Sequence, residues 1–351
     1  MTEAPIAPGV VLAAMDKFRD TASARELCDA VARVGLARDR DVDTQPMSDG
    51  GEGFRDAFVG EEATIEVPGP LGAKVSAKVT LVPADEGPVG VLEVAEVIGR
   101  HLLGSPSRSD AWVASSAGVG DLIVACEHLG VQRLLIGCGG SATSDGGRGC
   151  YDVVRDAGGL AVPVTVATDV TARFSGARRY AEQKGIDPED LEELDRRLEE
   201  VRALYLRDTG VDVEALDRAG ASGGVPGALA ALGAELVSGF DAVAQAVGLT
   251  GRVRAASFVV TGEGRFDGGS LEGKVVDGVA ALVKPGTDLL VVCGSIEDEA
   301  AQIFRRRYPT VTMVSLVERF GEVAAKADAV GCVEAVVAQE IDGRWGDVTS
   351  E

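Results

Sequence analysis

The chain of 351 residues has few aromatic side chains and a deficit of positive charge. Phe, Trp and Tyr make up 4% of it, too few for the stacked aromatic platform that binds single-stranded nucleic acid. Acidic residues number 56 against 34 basic ones, so the net charge of −22 repels phosphate backbones and anionic lipids. The sequence therefore predicts no nucleic-acid partner and no membrane partner, and an anionic substrate would need a local group of cations.

Cysteine and histidine are also too sparse for a recognisable metal or redox site. The six cysteines include no C-x-x-C pair, and four lie in or beside apolar runs, which is typical of reduced, buried thiols. His101 and His128 do not complete a zinc-binding set, so we expect both to be structural or surface residues. No uncharged apolar run reaches 18 residues and no secretory leader pattern opens the chain. We expect a soluble, cytoplasmic protein.

Glycine is abundant, with 46 residues clustered in short turns after apolar runs. Runs of this kind lie at 9–14, 133–136, 257–261, 289–293 and 310–317, and each is suited to a buried parallel strand. Glycine-rich turns after strands allow the backbone to approach a ligand closely. The pattern predicts an α/β protein whose ligand-binding loops follow the strands.

The first of these runs begins a βαβ unit. A polar loop, Met15 to Ala22, follows it, and Ser23 with Glu26 then forms the capping box of a helix. In such sheets ligands bind beyond the carboxyl ends of the strands. Lys17 and Arg19, in this loop, are cations that could bind a carboxylate or a phosphate.

The middle of the chain has a different pattern. Residues 63–95 alternate between apolar and polar, which indicates antiparallel or mixed sheet. Spacing of three and four predicts a long helix from Pro188 to about Arg207, capped by Asp187. We therefore predict a doubly wound parallel α/β domain made from both chain ends, with a mixed-sheet α/β domain inserted between them.

Two glycine-rich loops combine acids with small hydroxyl side chains. In Ser48-Asp-Gly-Gly-Glu-Gly53 the carboxylates of Asp49 and Glu52 suit magnesium, although an ordinary solvated turn explains the segment equally well. In residues 137–147 the peptide N–H groups could bind an anion. This second loop also contains G-x-G-x-x-A, a weak dinucleotide fingerprint, but the residues after it make a poor helix start.

Residues 268–275 nearly match a phosphate-binding P-loop. The segment lacks the final hydroxyl because Val275 stands there, yet Lys274 could still hold a phosphate as a point charge. A solvated lysine is the alternative. Phosphoryl transfer to an alcohol needs a carboxylate that accepts the hydroxyl proton. Asp169, directly after the apolar run 163–168, and Asp267 are both candidates.

Taken together, the segments resemble the bacterial glycerate kinase family whose members make 2-phosphoglycerate. The resemblance covers roughly residues 8–340. The matching segments are 16–24 (D-x-F-K-G-S-x-S-A in the family), 46–53 (P-M-A-D-G-G-E-G), 139–147 (G-G-S-A-T-N-D-G-G), 183–185 (P-Q-K-G), 220–224 (G-A-A-G-G), and 261–267 with 270–274 (T-G-E-G-R-x-D-x-Q-S-x-x-G-K). Each matching segment is a weak signal alone, but seven segments in the order of the family pattern make the resemblance specific.

This resemblance implies ATP-dependent phosphorylation of D-glycerate with Mg2+. It implies a flavodoxin-like (Rossmann-like) domain, for which we predict residues 1–65 plus 285–351, and an inserted domain over 66–284, with the active site in the cleft between them. Asp169 would be the general base, with Asp267 as the second candidate. The remaining roles are substrate and phosphoryl binding by Lys17, Arg19 and Arg265, magnesium binding by Asp49, Glu52 and Asp145, and ATP phosphate binding by Gly139, Gly140, Ser141, Thr143 and Lys274.

The chain departs from the family pattern at several of these positions. Arg19 replaces a lysine, Asp20 a glycine and Gly269 a glutamine, and Asp169-Val-Thr-Ala-Arg173 stands for D-V-D-N-P. Asp20 puts an anion on the loop that we expect an anionic substrate to approach, and Arg173 is a cation that could compensate. A kinase for another small hydroxy acid, a noncatalytic ligand-binding homologue and an NAD-dependent dehydrogenase stay as alternatives. The sequence leaves open whether two copies form a homodimer.

Overall fold

The structure, a computed structural model, describes residues 9–104 and 107–345. These residues fold into two compact units. The terminal unit comprises the described residues up to Ser48 and from Val243 onward, and the inserted unit comprises Asp49–Ala242. None of the helices in the described ranges has both the length and the apolar character needed to cross a membrane.

The elements are numbered in chain order. The strands are β1 Val10–Met15, β2 Val42–Thr44, β3 Glu61–Pro68, β4 Lys74–Val82, β5 Val89–Glu93, β6 Arg133–Cys138, β7 Val164–Thr168, β8 Glu235–Ser238, β9 Ala256–Gly262, β10 Arg265–Phe266, β11 Asp288–Cys293, β12 Ser295–Ile296 and β13 Val311–Ser315. The helices are α1 Ala24–Leu36, α2 Ala95–Ile98, α3 Arg108–Val113, α4 Ala117–His128, α5 Arg148–Asp156, α6 Leu191–Thr209, α7 Val225–Ala231, α8 Gly239–Ala246, α9 Leu249–Ala255, α10 Val275–Leu282, α11 Asp298–Arg307, α12 Leu316–Phe320, α13 Glu322–Ala327 and α14 Ala329–Trp345.

The terminal unit is built on a five-stranded, all-parallel sheet. Its strands lie in the order β2-β1-β9-β11-β13, which is 2-1-3-4-5 when they are numbered within the unit. This is the flavodoxin-like order, in which the sheet is wound in both directions from a switch point beside its first strand. The predicted doubly wound parallel domain is confirmed.

Local sequence signals account for the start of this unit. β1 is buried from Val11 onward, as its continuous apolar run predicts for a strand inside a parallel sheet. Ser23 caps α1 by accepting the Glu26 N–H, and Glu26 in return accepts the Ser23 N–H, so the predicted capping box forms. The apolar face of α1 packs against α14 over one face of the sheet.

The chain returns to the terminal unit earlier than the predicted boundary at 285. β9 lies between β1 and β11 and pairs with both, so the segment from Val243 belongs to this unit. Residues 49–65 likewise belong to the inserted unit, since β3 pairs with β4. Strand pairing across more than 200 residues sets these limits, and sequence periodicity carries no information on it. The predicted cleft location of the active site stays a prediction.

The inserted unit contains a six-stranded mixed sheet in the order β3-β4-β5-β6-β7-β8. The first three strands are antiparallel to one another, as the alternating pattern over 63–95 predicts. β5, β6, β7 and β8 are parallel, so their carboxyl ends share one edge of the sheet. That edge carries the loops that the sequence singles out.

Two boundary predictions need correction. The helix predicted from Pro188 begins as a 3-10 turn, Pro188–Asp190, and continues as α6 to Thr209. The Asp187 side chain caps nothing and instead lies 3.3 Å from Arg108 in an ion pair. The predicted last strand over 310–317 ends at Ser315, because the Ser315 side chain caps α12 by accepting the Glu318 N–H.

Candidate active site

The switch point of the terminal sheet lies between β1 and β9, where ligands bind in folds of this order. The loops that leave these two strands, 16–22 and 263–267, therefore flank the expected binding position. Gly264 lets them approach, because a Cβ at this position would lie 3.1 Å from the Arg19 backbone nitrogen. Lys17, Arg19, Arg265 and Asp267 are thus gathered at one end of the terminal unit.

The first loop presents cations next to a buried acid. Asp16 is buried, and its Oδ1 lies 3.9 Å from the Lys17 ammonium. Arg19 is exposed, and its side chain makes no hydrogen bond or ion pair with any other described residue. Asp20, at the glycine position of the family motif, has a φ of +63°, a left-handed conformation that aspartate tolerates better than most residues. The loop thus keeps its shape despite the replacement.

The Asp267 carboxylate is engaged in shaping its own loop. Its Oδ1 accepts the Gly269 N–H at 2.9 Å, and its Oδ2 lies 3.4 Å from the Arg265 guanidinium. The Ser270 hydroxyl accepts the Asp267 N–H, which completes a capping box on the 3-10 turn Gly268–Leu271. Lys274 follows as the residue that precedes the first turn of α10. The Asp267 carboxylate is therefore partly committed to the shape of its own loop.

In the inserted unit, loop 49–53 packs onto the carboxyl edge of the sheet. Gly50 has a φ of +96°, and a Cβ there would lie 3.0 Å from the Thr168 nitrogen at the end of β7. A Cβ on Gly139, which follows β6, would lie 2.7 Å from the Gly51 Cα. Glycine is required at these close approaches because any side chain would push the loops apart.

These contacts bring Asp49 and Asp169 together. Asp49 Oδ1 lies 3.3 Å, and Asp169 Oδ2 3.7 Å, from the point where a Cβ on Gly51 would stand. The two carboxylates thus border the same space beside Gly51, from residues 120 positions apart in the sequence. Glu52, in the same loop, is exposed. Hard carboxylate oxygens of this kind are the ligands that Mg2+ prefers.

The Asp145 carboxylate is a buried hydrogen-bond acceptor. It accepts hydrogen bonds from the Ser116 N–H (2.8 Å), the Ser116 hydroxyl (2.7 Å), the Gly147 N–H (3.1 Å) and the Gly149 N–H (3.2 Å). It therefore ties the start of α5 to the start of α4. Its role as a magnesium ligand stays a prediction, with both oxygens already engaged.

The glycine loop at 139–147 contains buried hydroxyls that lack partners. Thr143 Oγ1 and Ser144 Oγ make no hydrogen bond to any described residue, although both side chains are almost fully buried. Ser222 Oγ, in the neighbouring loop 220–224, is also buried without a hydrogen-bond partner among the described residues. Buried hydroxyls are normally satisfied, so three unsatisfied ones beside a glycine loop indicate a polar ligand such as a phosphate.

Lys184 joins these loops, and sequence reasoning assigned it no role. Its side chain is only 5% exposed, and its ammonium donates to Ser141 Oγ at 3.0 Å and to the Thr143 carbonyl at 2.8 Å. Burial is the main cause that lowers the pKa of this ammonium from 10.5 to about 7; Asp145 opposes the shift, and Arg100 contributes to it. The motif Gln183-Lys-Gly185, which matches the family pattern, was the sequence signal that could have identified Lys184.

Glu93 is a second residue that the sequence did not single out. It follows the apolar part of β5, is buried, and accepts the Gly53 N–H at 3.1 Å and the Arg55 N–H at 2.8 Å. Burial raises its pKa, and these two hydrogen bonds oppose the shift. Glu93 therefore fixes the end of the loop that carries Asp49. An acid directly after a buried strand was the signal that could have found it.

The buried lysine makes a pH-dependent contribution to stability. Because the folded pKa of Lys184 is depressed, the unfolded chain binds more protons above pH 7, and stability rises with pH. The quantity to compare is the free energy of unfolding of the unchanged protein minus that of Lys184→Met. We expect this difference to increase between pH 7 and pH 8.5, by up to about 1.4 kcal/mol per pH unit. Urea unfolding of both proteins across this pH range measures the difference. A difference in free energy of unfolding that does not change with pH would contradict the depressed pKa.

Comparisons with known proteins agree with this geometry. The model of the family described as "Glycerate kinase family" matches residues 11–154 and 156–339. Glycerate 2-kinase of Escherichia coli K12 is 31% identical over 345 residues, covering 87% of this chain and 90% of that protein. Glycerate kinase of Halalkalibacterium halodurans is 31% identical over 336 residues, covering 84% and 87%.

A solved structure extends the likeness to the whole fold. The crystal structure of "putative glycerate kinase 2" from Salmonella typhimurium LT2 superposes with a TM-score of 0.77 at 29% identity, covering 96% of this chain and 99% of that one. The doubly wound unit with its inserted mixed sheet and glycine-rich loops is thus the architecture of a small-molecule kinase. The chain belongs to the glycerate kinase family.

Proposed function

We propose that this kinase transfers the terminal phosphoryl group of ATP to the 2-hydroxyl of D-glycerate, forming 2-phosphoglycerate. The observation that carries the proposal is the pairing of Asp49 and Asp169 around Gly51, at the edge of the inserted sheet where the glycine loop also begins. A base and a metal-binding carboxylate are the two acids that phosphoryl transfer to an alcohol requires. The E. coli relative, named glycerate 2-kinase, supports the position of transfer.

Asp169 is the group that accepts the proton of the substrate hydroxyl. It directly follows β7, so the sheet holds its backbone in place. Asp267, the second candidate, is held by the Gly269 N–H and Arg265. Lys17 and Arg19 provide the cations that an anionic hydroxy acid needs in a chain of net charge −22.

The phosphates of ATP would be bound by the glycine loop, where Gly139 and Gly140 allow close approach and Ser141 and Thr143 provide hydroxyls, with Lys274 and Arg265 as cations. The unsatisfied Thr143 and Ser144 hydroxyls fit this use. Mg2+, when bound, neutralises phosphate charge, and Asp49 with Glu52 would hold it. No group of three or more His, Cys, Asp or Glu side chains in the described residues is arranged to bind a metal alone, so phosphate and water oxygens would supply the other ligands.

A coupled assay of ADP release with ATP, Mg2+ and D-glycerate tests the function, with the phosphate position of the product determined by NMR. We expect turnover and a product phosphorylated at C2. Absence of turnover with every nucleoside triphosphate tried, or a product phosphorylated at C3, would contradict the proposal. Omitting Mg2+ and replacing it with Ca2+ are the matched controls for the metal.

Gly51→Ala tests the carboxylate pair. The backbone of Gly51 does not need a positive φ, so alanine folds there, but its methyl group would stand between Asp49 and Asp169. We expect the Mg2+ concentration for half-maximal activity to rise at least about tenfold, roughly one lost metal–ligand contact. Binding of Mn2+ with ADP, followed by EPR, should weaken in parallel.

The control is Gly251→Ala, since a Cβ at Gly251 in α9 meets nothing within 4 Å. We expect its metal dependence to equal that of the unchanged chain. A Gly51→Ala protein with the same metal dependence would remove Asp49 from the metal site.

A different small hydroxy acid is the second candidate substrate, and Asp20 favours it. Asp20 adds an exposed anion to the loop beside the switch point, where it would oppose an anionic substrate. Asp20→Gly removes this charge and suits the positive φ. We expect its kcat/KM for D-glycerate to rise severalfold at low salt, measured over a panel of hydroxy acids. If another acid exceeds D-glycerate in the unchanged chain, the D-glycerate assignment is wrong.

We place this reaction in the cytoplasm. All six cysteines are buried and free, which suits a reducing compartment. Association into a homodimer stays a prediction.

A further inference from the structure

A pocket of about 280 Å3 on the inserted unit is lined by cationic side chains. Arg100, His101, Gln183 and Lys184 surround it, with Ala142 of the glycine loop at its wall. None of the described residues that line it carries a carboxylate, although acids far outnumber bases in the whole chain. A cationic pocket in so acidic a protein indicates an anionic ligand.

The backbone fixes Arg100 beside the glycine loop. The Arg100 N–H donates to the Gly140 carbonyl at 3.0 Å, and the Ala142 N–H donates to the Ile98 carbonyl at 2.7 Å. Gly99 and Ser141 form an antiparallel bridge between these two bonds. The Arg100 guanidinium in turn donates to Gln183 Oε1 at 3.1 Å, which leaves four of its five donors without an acceptor among the described residues.

The Lys184 ammonium also has a donor to spare. A lysine ammonium has three N–H donors, and only two of them are used, by Ser141 Oγ and the Thr143 carbonyl. Arg100 lies near enough to disfavour the charged form of Lys184. The carboxylate that favours it, Asp145, already accepts four hydrogen bonds from other groups. Two cations therefore face one pocket without a carboxylate of their own.

We propose that this pocket binds an oxyanion, a carboxylate or a phosphate group, between Lys184 and Arg100. Bound there, the anion fills the unused donors of both side chains and offsets their repulsion. Because Lys184 also holds Ser141 and the Thr143 carbonyl, binding would stiffen the glycine loop. The test with inorganic phosphate needs neither nucleotide nor turnover, so its failure is distinguishable from failure of the proposed kinase reaction.

Inorganic phosphate is the probe, and histidine NMR reports where it binds. The chain has two histidines, His101 at the pocket and His128 at the end of α4. We expect phosphate to shift the imidazole resonances of His101 and to leave those of His128 unmoved. Replacing His128 with Gln assigns the two signals. A His101 signal that does not respond to phosphate would overturn the proposal.

Three variants locate the binding groups. Arg100→Gln and Lys184→Met should each weaken phosphate binding at least about tenfold by calorimetry, the worth of one charge-assisted hydrogen bond. Arg133→Gln, the matched control, removes the same charge at the other end of β6, roughly 17 Å along the strand, and should bind as the unchanged chain does. Arg100 is exposed, so its replacement keeps the fold even if Lys184→Met does not. Unweakened binding by Arg100→Gln would reject the pocket.

The same titrations with D-glycerate and with ATP identify the source of the oxyanion. Loss of D-glycerate affinity in Arg100→Gln would assign the pocket to the substrate carboxylate, and loss of ATP affinity would assign it to a nucleotide phosphate. Loss of phosphate binding alone would make it a separate anion site. Each assignment requires that Arg100→Gln also weakens phosphate binding. If phosphate binding is not weakened, the oxyanion pocket is rejected whatever the other two affinities are.

Discussion

Asp169→Asn is expected to lower kcat by roughly 10²–10⁴, the contribution of a positioned general base. The amide keeps the size and polarity of the side chain, so folding and ATP affinity should be retained while the substrate hydroxyl loses its proton acceptor. The loss should lie in kcat and not in KM for D-glycerate, because the ground-state contacts of the substrate are made by other groups. Steady-state kinetics of the ADP-release assay measure this division.

The matched control is Asp85→Asn. Asp85 is exposed in the turn between β4 and β5, at the opposite edge of the same sheet. The same change there should leave kcat within a factor of two of the unchanged chain, a difference of about 0.4 kcal/mol. If Asp169→Asn keeps near-normal turnover while Asp267→Asn abolishes it, the base is Asp267.

Asp145→Ala is expected to destabilise the protein by about 3–5 kcal/mol, irrespective of Mg2+. The substitution leaves the Ser116, Gly147 and Gly149 donors without their acceptor in a buried environment, where a single unsatisfied polar group already costs about 1–3 kcal/mol. Urea unfolding with and without Mg2+ measures the effect. A metal ligand would show a loss that grows with Mg2+, whereas a structural acceptor would show the same loss in both conditions.

Asp156→Ala provides the comparison. Asp156 ends α5, the helix whose start is bonded to Asp145, and its side chain is 71% exposed. Removing a charge there should change stability by no more than about 0.5 kcal/mol. An Asp145→Ala protein as stable as this control would mean that the four hydrogen bonds of Asp145 contribute little, and the magnesium role would regain weight.

Much of the architecture follows from patterns within short segments. The apolar runs at 9–14 and 289–293 become β1 and β11, and the capping box at Ser23 starts α1. These signals work because a strand or a helix end depends mainly on neighbouring residues. Asp169 could be placed at the end of β7 for the same reason, since an acid that follows a buried run must leave the sheet at its edge.

Other features of the site depend on residues far apart in the chain. The pairing of Asp49 with Asp169 arises because Gly50, Gly51 and Gly139 let three loops meet, and no local pattern records such a meeting. Asp145 looks like a metal ligand beside its glycines, yet its partners include Ser116, 29 residues away. The sequence alone does not show these hydrogen-bond partners, because they come from separate loops.

The sequence by itself determined the α/β class and the family, because motif spacing and hydrophobic periodicity are local and survive at about 31% identity. The tertiary structure decided that the chain returns to the terminal unit at Val243, that Glu93 holds the Asp49 loop, and that Lys184 is buried with a donor to spare. Strand order, burial and hydrogen-bond partners are properties of the folded chain, because they depend on which distant residues fill the space around each group.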